Sequence, residues 1–309
     1  MAAEEPVGLI VVDKPAGMTS HDVVSRIRRL ARTRRVGHGG TLDPMATGVL
    51  VIGVGKATRL LTYVIGSGKR YSATIRLGES TVTDDAEGDI VASKPTDGID
   101  ESAIRAGLAL QTGTIQQVPS AVSAIKIDGK RAYKMIREGE TVDLPARTVV
   151  VSTLDVLDIR PATSAASGAA VIDVDVDVAC SSGTYIRAIA RDLGAHLGTG
   201  GHLTALRRTA VGGFTLDVAR TLDQLAEQAG RDDSTAADLM SLKLDEAASQ
   251  FFRRRDADPD EARVLSHGGP LSPIGAAEPY AVFAPSGEVI AIVQERDGKA
   301  RAEVVFAPA

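Results

Sequence analysis

The sequence contains one cysteine, no tryptophan and no long apolar segment. Cys180 is the only thiol among the 309 residues, so the chain can form neither an internal disulfide nor a cysteine-rich metal site. No apolar stretch approaches the roughly 20 residues that a membrane-spanning helix needs, and the acidic start MAAEEPVGLIVV lacks the positively charged region of a secretory signal. These absences predict a protein of the reducing cytoplasm that has no membrane partner.

Aromatic residues are also scarce, since five tyrosines and five phenylalanines make up only 3% of the chain. Modules that bind single-stranded nucleic acids without sequence preference present aromatic rings on which the bases stack. The composition therefore disfavours a generic single-strand binder, and any RNA partner is expected to be recognised by its shape.

The net charge of −5 argues at first against a nucleic-acid partner, because lysine and arginine supply the affinity for phosphate. The distribution of the charge changes this conclusion. Residues 1–75 contain 11 Lys and Arg against 5 Asp and Glu, so positive charge is concentrated at this end of the chain. Its densest run, SRIRRLARTRR at residues 25–35, is typical either of a solvated helix face or of a polyanion-binding site, and the sequence leaves both open.

The length is sufficient for about two domains with stable cores. The segment AGRDDSTAAD, residues 229–238, has the composition of a linker between mixed strand and helix patterns and a terminal region of short alternating strands. We therefore expect domains at residues 1–238 and 239–309. Within the first, residues 120–145 mix basic residues with glycines and predict a long basic loop with a functional role.

Local periodicity predicts several helices and strands. VGLIVV has the pattern of a buried strand, and in KRYSATIRLG apolar and polar side chains alternate as in a half-buried strand. Ser20 is expected to cap a helix that follows the turn DKPAG. In AVIDVDVDVAC the valines share one face of a strand, whereas Asp173, Asp175 and Asp177 share the other. No histidine or further ligand lies near them in the sequence, which favours a solvated sheet face over a metal site.

The segment GHGGTLDPMATGV, residues 37–49, places Asp43 among glycines, a proline and two threonines. This composition indicates a bent, exposed backbone, on which an aspartate is either a turn residue or a reactive group. The following GVGKAT is not a phosphate-binding P-loop, because Ala57 follows Lys56 and Leu50 occupies the position of the first glycine. The dinucleotide-binding fingerprint is also absent from the first strand-to-helix turn, DKPAGMTS.

Other catalytic classes have weaker support in the sequence. An aspartyl-phosphate phosphotransferase would give Asp43 a role, yet RRVGHGGTL is not a buried strand and no acidic cluster marks a Mg²⁺ site. The chain has no G-x-S-x-G nucleophile elbow, and its five histidines do not have the spacing of metal ligands. The sequence therefore predicts no metal site, and the phosphotransferase stays as the minor alternative.

Several motifs together carry a resemblance to a known family. In chain order, within residues 7–216, they are VVDKPAGMTSHDVV, GHGGTLDPMATGVLVIGVGKAT, KRYSATIRLG, QVPSAVSAIKIDGKRAY, CSSGTYIRAIARDLG and LTALRRTAVGGF. The chain resembles the TruB family of bacterial tRNA pseudouridine-55 synthases in all of them. Residues 239–309 resemble, more loosely, the RNA-binding PUA-like domain of that family.

The resemblance implies an α+β fold in which helices flank a mixed, mainly antiparallel sheet with a cleft across it. It also implies an isomerase that converts uridine 55, in the T arm of tRNA, to pseudouridine. Asp43 would be the nucleophile. In this reaction the N-glycosidic bond breaks, the detached uracil turns, and its C5 is joined to the ribose. No cofactor is implied, because the electrons stay within the nucleoside.

Two further residues match catalytic positions of the family. Arg187, in GTYIR, matches the arginine that pairs with the aspartate, and an opposite charge favours an ionised carboxylate and fixes its direction. Tyr71 matches the tyrosine that packs on the target base and is the candidate for removing the C5 proton. An unperturbed phenol is a poor base, so the sequence favours stacking over proton transfer for Tyr71.

The remaining matches concern substrate binding. Tyr185 and Leu206 would line the uracil pocket. His38 would occupy the stack beside the extruded nucleotide, since a base must leave its helix before chemistry can reach it. Residues 120–145 resemble the mobile loop with which the family closes on RNA. Three residues of this loop are candidate phosphate contacts: Lys126, Lys130 and Arg131. We expect a cytoplasmic monomer that binds tRNA and no metal.

Two questions remain open at the level of the sequence. An RNA-binding or RNA-folding protein in which catalysis is secondary is the alternative function. An Asp43→Asn variant separates the two, because it should lose isomerisation and keep RNA binding. The sequence also leaves open whether Asp43 attacks C6 or C1′ of the nucleotide.

Overall fold

The computed structural model describes residues 5–120, 126–127, 130–131 and 144–307, and it shows the expected α+β fold. The strands are β1 Gly8–Lys14, β2 Val36–His38, β3 Thr47–Val54, β4 Lys69–Leu77, β5 Glu79–Thr81, β6 Ile90–Ser93, β7 Gly113–Gln117, β8 Lys126–Ile127, β9 Lys130–Arg131, β10 Arg147–Thr163, β11 Ala170–Cys180, β12 Gly201–Val211, β13 Phe214–Thr215, β14 Leu242–Lys243, β15 Arg253–Asp256, β16 Tyr280–Phe283, β17 Val289–Arg296 and β18 Lys299–Val305. The helices are α1 Ser20–Leu30, α2 Leu61–Gly66, α3 Glu101–Ala109, α4 Ile186–Leu197, α5 Leu222–Ala229, α6 Leu244–Phe251 and α7 Pro259–Ser266. In the described ranges no helix is both long and apolar enough to cross a membrane.

One large sheet organises the chain as far as residue 243. Its strands follow the order β14-β1-β3-β12-β4-β11-β10-β7, with β2 also paired to β3 and β13 to β12. The β3–β12 pair is parallel, and the other pairs of this sheet are antiparallel. The mixed, mainly antiparallel sheet expected from the sequence is therefore confirmed.

The alternation along β1 explains how this sheet is covered on both faces. Ile10 and Val12 belong to an apolar cluster that also contains Ile27 of α1. Leu9 and Val11 point to the opposite face and share a second cluster with Phe283 of β16. A strand buried on both faces is continuously apolar, which is why GLIVV carries no polar residue.

The first helix is capped one residue earlier than the sequence suggested. Thr19 has an extended backbone, its side chain accepts a hydrogen bond from the Asp22 amide, and Asp22 binds back to the Thr19 amide. This reciprocal capping box makes Thr19 the N-cap instead of Ser20. Ser20 begins the helix, and its buried hydroxyl bonds to the amide and carbonyl of Leu42 at 2.9 and 3.1 Å. The start of α1 is thereby attached to the residue before Asp43.

The aspartates of β11 do not form a solvated face, contrary to expectation. Asp173 is buried and binds Arg76 of β4 through two hydrogen bonds of 2.8 Å. Asp175 binds Arg160 of β10 and the hydroxyl of Thr74. The strands on either side of β11 place these partners opposite the carboxylates, so the acidic face of the strand is largely neutralised across the sheet.

A second sheet forms at the end of the chain. Its strands lie in the order β15-β16-β17-β18, with β15 parallel to β16 and the other pairs antiparallel. Its inner side packs on the large sheet through the cluster that contains Val11, Phe283 and Ile292. β14, at Leu242–Lys243, still pairs with β1. The domain boundary at residue 238 stays a prediction.

Candidate active site

Asp43 lies on the loop between β2 and β3. The loop is held from several sides: the Gly39 amide bonds to Val51, the Gly17 amide bonds to the Pro44 carbonyl at 2.9 Å, and the Ala46 amide bonds to Asp43 itself at 3.1 Å. The Asp43 side chain is 35% exposed. The turn-forming residues around it therefore build a fixed platform that presents one partly exposed carboxylate.

Arg187 brings the first turn of α4 to this carboxylate. Its Nε lies 3.1 Å from Asp43 Oδ2, and the arginine side chain is only 6% exposed. Its Nη1 donates to the Thr83 carbonyl at 2.7 Å and lies 3.5 Å from Asp85 Oδ2. A guanidinium fixed at several points cannot swing away from Asp43, so it holds both the charge and the direction of that carboxylate.

Asp85, which the sequence analysis did not single out, forms the far side of this arrangement. Its side chain is 3% exposed and accepts hydrogen bonds from the Thr83 hydroxyl and the Glu87 amide. It lies on the acidic turn between β5 and β6, whose sequence TDDAEGD gives no indication of which acid faces inward. Arg187 thus contacts two carboxylates. That of Asp85 is buried and bonded to its own turn, and that of Asp43 is open to the cleft.

The cleft beside Asp43 has a volume of about 330 Å³, near the lower end of the range of about 300–1000 Å³ that is usual for ligand sites. It brings together five residues that the sequence assigned to the site: Asp43, Tyr71, Tyr185, Arg187 and Leu206. Its other lining residues are Gly40, Thr41, Leu42, Ile65, Lys69, Ser182, Gly183, Thr184, Ile186 and Arg208. Apolar walls around a single anchored carboxylate suit a flat, weakly polar ring such as a nucleobase.

Tyr71 lies near the start of β4 and is 7% exposed. Burial raises the pKa of its phenol, and the Arg208 guanidinium, which is hydrogen-bonded to it, counteracts only part of that effect. The neutral phenol is therefore the resting form. Tyr71 is one of the residues that line the cleft.

Arg208 is a further residue that sequence reasoning did not assign, although it lies in the motif LTALRRTAVGGF. Its side chain is fully buried and donates to the carbonyls of Val49, Gly40 and Thr41 at 2.7, 3.1 and 3.3 Å. These bonds join β12, the start of β3 and the loop that carries Asp43. Arg208 therefore fixes the loop that carries Asp43 and also contacts Tyr71.

Two buried lysines add positive charge near the loop. Lys69 lines the cleft and donates to the carbonyls of Ile65 and Ser67, and burial lowers its pKa to about 8. Lys14 donates to three carbonyls, including that of Pro44 at 3.1 Å, and burial likewise lowers its pKa to about 8. Because carbonyl oxygens bind both ammonium groups, each lysine acts as a structural cross-link of the cleft wall.

Gln117, also unassigned by the sequence, anchors the start of α4. It is 2% exposed, its side-chain oxygen accepts from the Tyr185 amide at 2.8 Å, and its side-chain nitrogen donates to the Tyr185 carbonyl at 3.1 Å. Tyr185 is the N-cap of α4, and it lies two residues before Arg187 in the chain. The end of β7 thereby fixes the backbone that carries two cleft residues.

His38, another predicted binding residue, is not among the described residues that line the cleft. His38 is the last residue of β2, and its ring packs edge-to-face on His21 with centroids 5.5 Å apart. Burial, and then the neighbouring His21, lower the pKa of His38. The backbones of the three loop residues lie in the paired strands β8 and β9, and their side chains lie outside the described part of the chain: Lys126, Lys130 and Arg131.

Metal ligands are not grouped in the described residues, since no cluster of three or more His, Cys, Asp or Glu side chains there could hold an ion.

Family models match most of the chain. The model described as "TruB family pseudouridylate synthase (N terminal domain)" matches residues 28–186. Those described as "tRNA pseudouridylate synthase B C-terminal domain" and "tRNA Pseudouridine synthase II, C terminal" match residues 187–247 and 252–307.

Comparison with individual proteins gives the same result. The chain is 56% identical to tRNA pseudouridine synthase B of Arthrobacter sp. (strain FB24), over 97% of each chain. It is 55% identical to that of Thermobifida fusca (strain YX), over 97% of this chain and 98% of the relative. Among solved structures, a chain of the "Crystal Structure of a Cbf5-Nop10-Gar1 Complex" superposes with a TM-score of 0.72 and 27% identity, over 97% of this chain and 85% of the other.

Proposed function

This chain belongs to the TruB family of pseudouridylate synthases, and we propose that it isomerises uridine 55, in the T loop of tRNA, to pseudouridine. The observation that carries the proposal is the Asp43–Arg187 pair, held at 3.1 Å on the wall of a base-sized cleft. The names of its relatives supply the substrate class, since proteins more than 50% identical over nearly the whole chain are named tRNA pseudouridine synthases.

In the proposed reaction Asp43 is the nucleophile. Arg187 fixes the direction of its carboxylate, and the apolar walls exclude water from an adduct that must later fall apart. The bond between N1 and C1′ of the nucleotide breaks, the uracil turns in the cleft, and a bond forms between C5 and C1′. The proton lost from C5 is balanced by a proton gained at N1, so the product is an isomer of the substrate and the reaction consumes no redox cofactor.

Tyr71 and Leu206 hold the uracil between them in this proposal. Both side chains line the cleft, and both are more than nine-tenths buried. Tyr71 is also the candidate for accepting the C5 proton, with Arg208 stabilising the phenolate as it forms. Tyr185 closes the pocket above the first turn of α4.

The uridine reaches the cleft by leaving its stack. Extrusion of a base costs a few kcal/mol, and a side chain that fills the gap recovers part of this cost. We assign that role to His38, which is half-buried on the strand that leads into the Asp43 loop. The T arm would be held further by the loop at residues 120–145, through Lys126, Lys130 and Arg131, and by the C-terminal sheet, with the protein acting as a monomer.

Tritium release from T-arm RNA labelled at C5 of the target uridine tests the function. The parental protein should release tritium as pseudouridine forms, whereas Asp43→Asn should bind the same RNA and release none. Asp89→Asn, at an exposed carboxylate of the neighbouring turn, is the matched control and should keep the parental rate. Isomerisation by Asp43→Asn at the parental rate would refute the nucleophile, and binding without any release by the parental protein would favour an RNA-folding role.

The phosphotransferase alternative is separated by chelation. An aspartyl-phosphate enzyme requires Mg²⁺, so excess EDTA would stop it. We expect tritium release to continue at the same rate in EDTA once the RNA has been refolded with monovalent salt. An EDTA-dependent loss that Mg²⁺ restores, with the RNA fold unchanged, would support the alternative.

A further inference from the structure

We propose that the arginines of α1 and of the loop after it, most of them exposed, bind the phosphodiester backbone of the RNA stem that adjoins the flipped uridine. This inference rests on the proposed function and extends the RNA footprint beyond the cleft. We call these side chains the arginine segment: Arg26, Arg28, Arg29, Arg32, Arg34 and Arg35.

The arginine segment groups six charges that no carboxylate of the described residues neutralises. Across the described residues, arginines such as Arg76, Arg160 and Arg207 form ion pairs with carboxylates at 2.5–2.8 Å. In the same part of the chain, no carboxylate lies within ion-pair distance of any arginine of the segment. Six neighbouring guanidinium groups repel one another, and a polyanion would relieve that repulsion.

The position of α1 directs these charges toward the catalytic loop. The Ser20 hydroxyl is bonded to Leu42, the neighbour of Asp43, and the His21 ring packs on His38. Ser25 and Arg28 follow His21 at helical spacing and are exposed like it, so they share its side of the helix. Arg28 also donates to the Val36 carbonyl at 3.2 Å, which places it alongside β2, the strand that ends at His38.

The length of α1 sets the reach of this surface. Its 11 residues span about 16 Å at 1.5 Å per residue, from the contact with Leu42 to the last turn. Phosphates of one strand advance about 3.4 Å per step along a nucleic-acid helix. The three arginines of the helix, Arg26, Arg28 and Arg29, therefore lie within about five steps of a nucleotide bound beside Asp43, as a short stem extending from the flipped loop base would require.

The backbone conformation of Arg32 independently supports a role in RNA binding. Its φ of 51° places it in the left-handed region, directly after Ala31, the C-cap of α1. The Arg32 and Thr33 amides bond back to the carbonyls of Arg29 and Arg28, as in a Schellman ending, where glycine is preferred. An exposed arginine kept at a position that favours glycine indicates that its side chain has a role outside the fold.

Helix stability explains only part of the pattern. Cations in the last turn interact favourably with the helix dipole, which accounts for Arg28 and Arg29. It does not account for Arg32, Arg34 and Arg35, which lie beyond the helix. The helix dipole therefore accounts for two of the six charges, whereas phosphate binding uses all of them.

The test measures binding of a T-arm stem-loop RNA at several salt concentrations, with the full-length protein. Arg29→Gln/Arg32→Gly/Arg34→Gln should raise Kd by at least tenfold. The slope of log affinity against log salt should fall by about 2, because each lost phosphate contact removes roughly 0.7–0.9 from it. In the tritium assay the triple variant should lose activity through a higher KM. Arg105→Gln/Arg231→Gln, two exposed arginines on other surfaces, is the control and should match the parental protein.

Arg32→Gly alone separates RNA binding from folding. Glycine suits the left-handed position, so the Tm should rise by about 2 °C or more while RNA affinity falls. The difference in Kd between the triple variant and the parental protein should also disappear with an RNA whose stem has been shortened to two base pairs. Parental affinity and salt slope in the triple variant, together with normal tritium release, would overturn this inference and leave the proposed function intact. Failure of the parental protein to release tritium would instead count against the function.

Discussion

Arg187 is the residue on which the geometry of the site depends most directly. Its guanidinium contacts Asp43 at 3.1 Å, the Thr83 carbonyl at 2.7 Å and Asp85 at 3.5 Å, with almost no exposure to solvent. Three contacts in different directions require a planar group with several donors. A buried guanidinium between two carboxylates also means that removing Arg187 would leave both carboxylates without this opposite charge.

Replacement of Arg187 by lysine tests this geometry with the charge retained. A lysine ammonium is a point charge that cannot maintain all three contacts. We expect the single-turnover rate of Arg187→Lys to fall at least about 100-fold, while the Kd for T-arm RNA stays within twofold of the parental value. Rapid-quench tritium release and filter binding measure the two quantities. A parental rate in this variant would show that charge alone is sufficient.

Tyr71 has a buried ring and a hydroxyl, and two substitutions can separate their contributions. Tyr71→Phe keeps the buried ring and removes the hydroxyl that Arg208 contacts, whereas Tyr71→Leu removes the ring as well. A general base contributes about 10²–10⁴ in rate, so we expect Tyr71→Phe to bind RNA normally and react at least 100-fold more slowly. Tyr71→Leu should also bind more weakly. Equal rates for Tyr71→Phe and the parental protein would leave only packing for this residue.

At the scale of elements, the pairing of β12 with β3 decides the shape of the catalytic loop. These strands are parallel and meet at Arg208 and Gly48, immediately after the DPMAT turn. Gly48 has a φ of +99°, and a Cβ there would lie 2.2 Å from the Arg208 carbonyl oxygen. The glycine of the motif therefore permits the close approach that places Arg208 beneath the loop of Asp43.

Gly48→Ala tests this close approach. The strained φ and the contact with rigid backbone together should lower the free energy of unfolding by about 3 kcal/mol or more. Urea denaturation measures the change. Gly213→Ala, at a glycine with open space around its Cα, is the control and should change the free energy of unfolding by less than about 1 kcal/mol. Equal stability of the two variants would contradict the proposed role of Gly48.

The elements also show where pattern reasoning fails. The sequence analysis predicted β1 from its apolar run, β4 and β11 from their alternation, and the helix α1 after the turn DKPAG. It did not assign β12, the strand at the centre of the site, because HLTALRRTA interrupts its apolar positions with two arginines. Arg207 pairs with Asp13 and Arg208 is fully buried under the loop. Charged residues inside a central strand can be explained only when their partners, far away in the sequence, are known.

At the scale of the whole molecule, the buried lysines link the site to the pH dependence of stability. Burial lowers the pKa of Lys69 from 10.5 to about 8. Between these two values the unfolded chain holds a proton that the folded protein has released. Unfolding then takes up a proton, so raising the pH through this window favours the folded state.

Comparison of the parental protein with Lys69→Met isolates this contribution. Between pH 7.5 and 9.5 the free energy of unfolding of the parental protein should rise relative to the variant by about 1 kcal/mol. Urea titrations at both pH values measure it, and other titrating groups cancel in the difference. Lys94→Met, at an exposed lysine, serves as the reference. A difference that falls as pH rises would show that Lys69 is more stably protonated in the folded state than burial implies.

The sequence by itself determined the motifs and therefore the family, the α+β class and the identity of Asp43, Tyr71 and Arg187 as the residues to examine. The motifs lie in local order along the chain, and the fold class and these residues follow from the resemblance to the TruB family that the motifs carry. The assembly of the site was decided only by the tertiary structure. The contacts of Asp43 with Arg187, of Arg187 with Asp85 and of Arg208 with the catalytic loop depend on sheet register and helix placement, because a local pattern specifies which way a side chain faces but not which distant side chain it will meet.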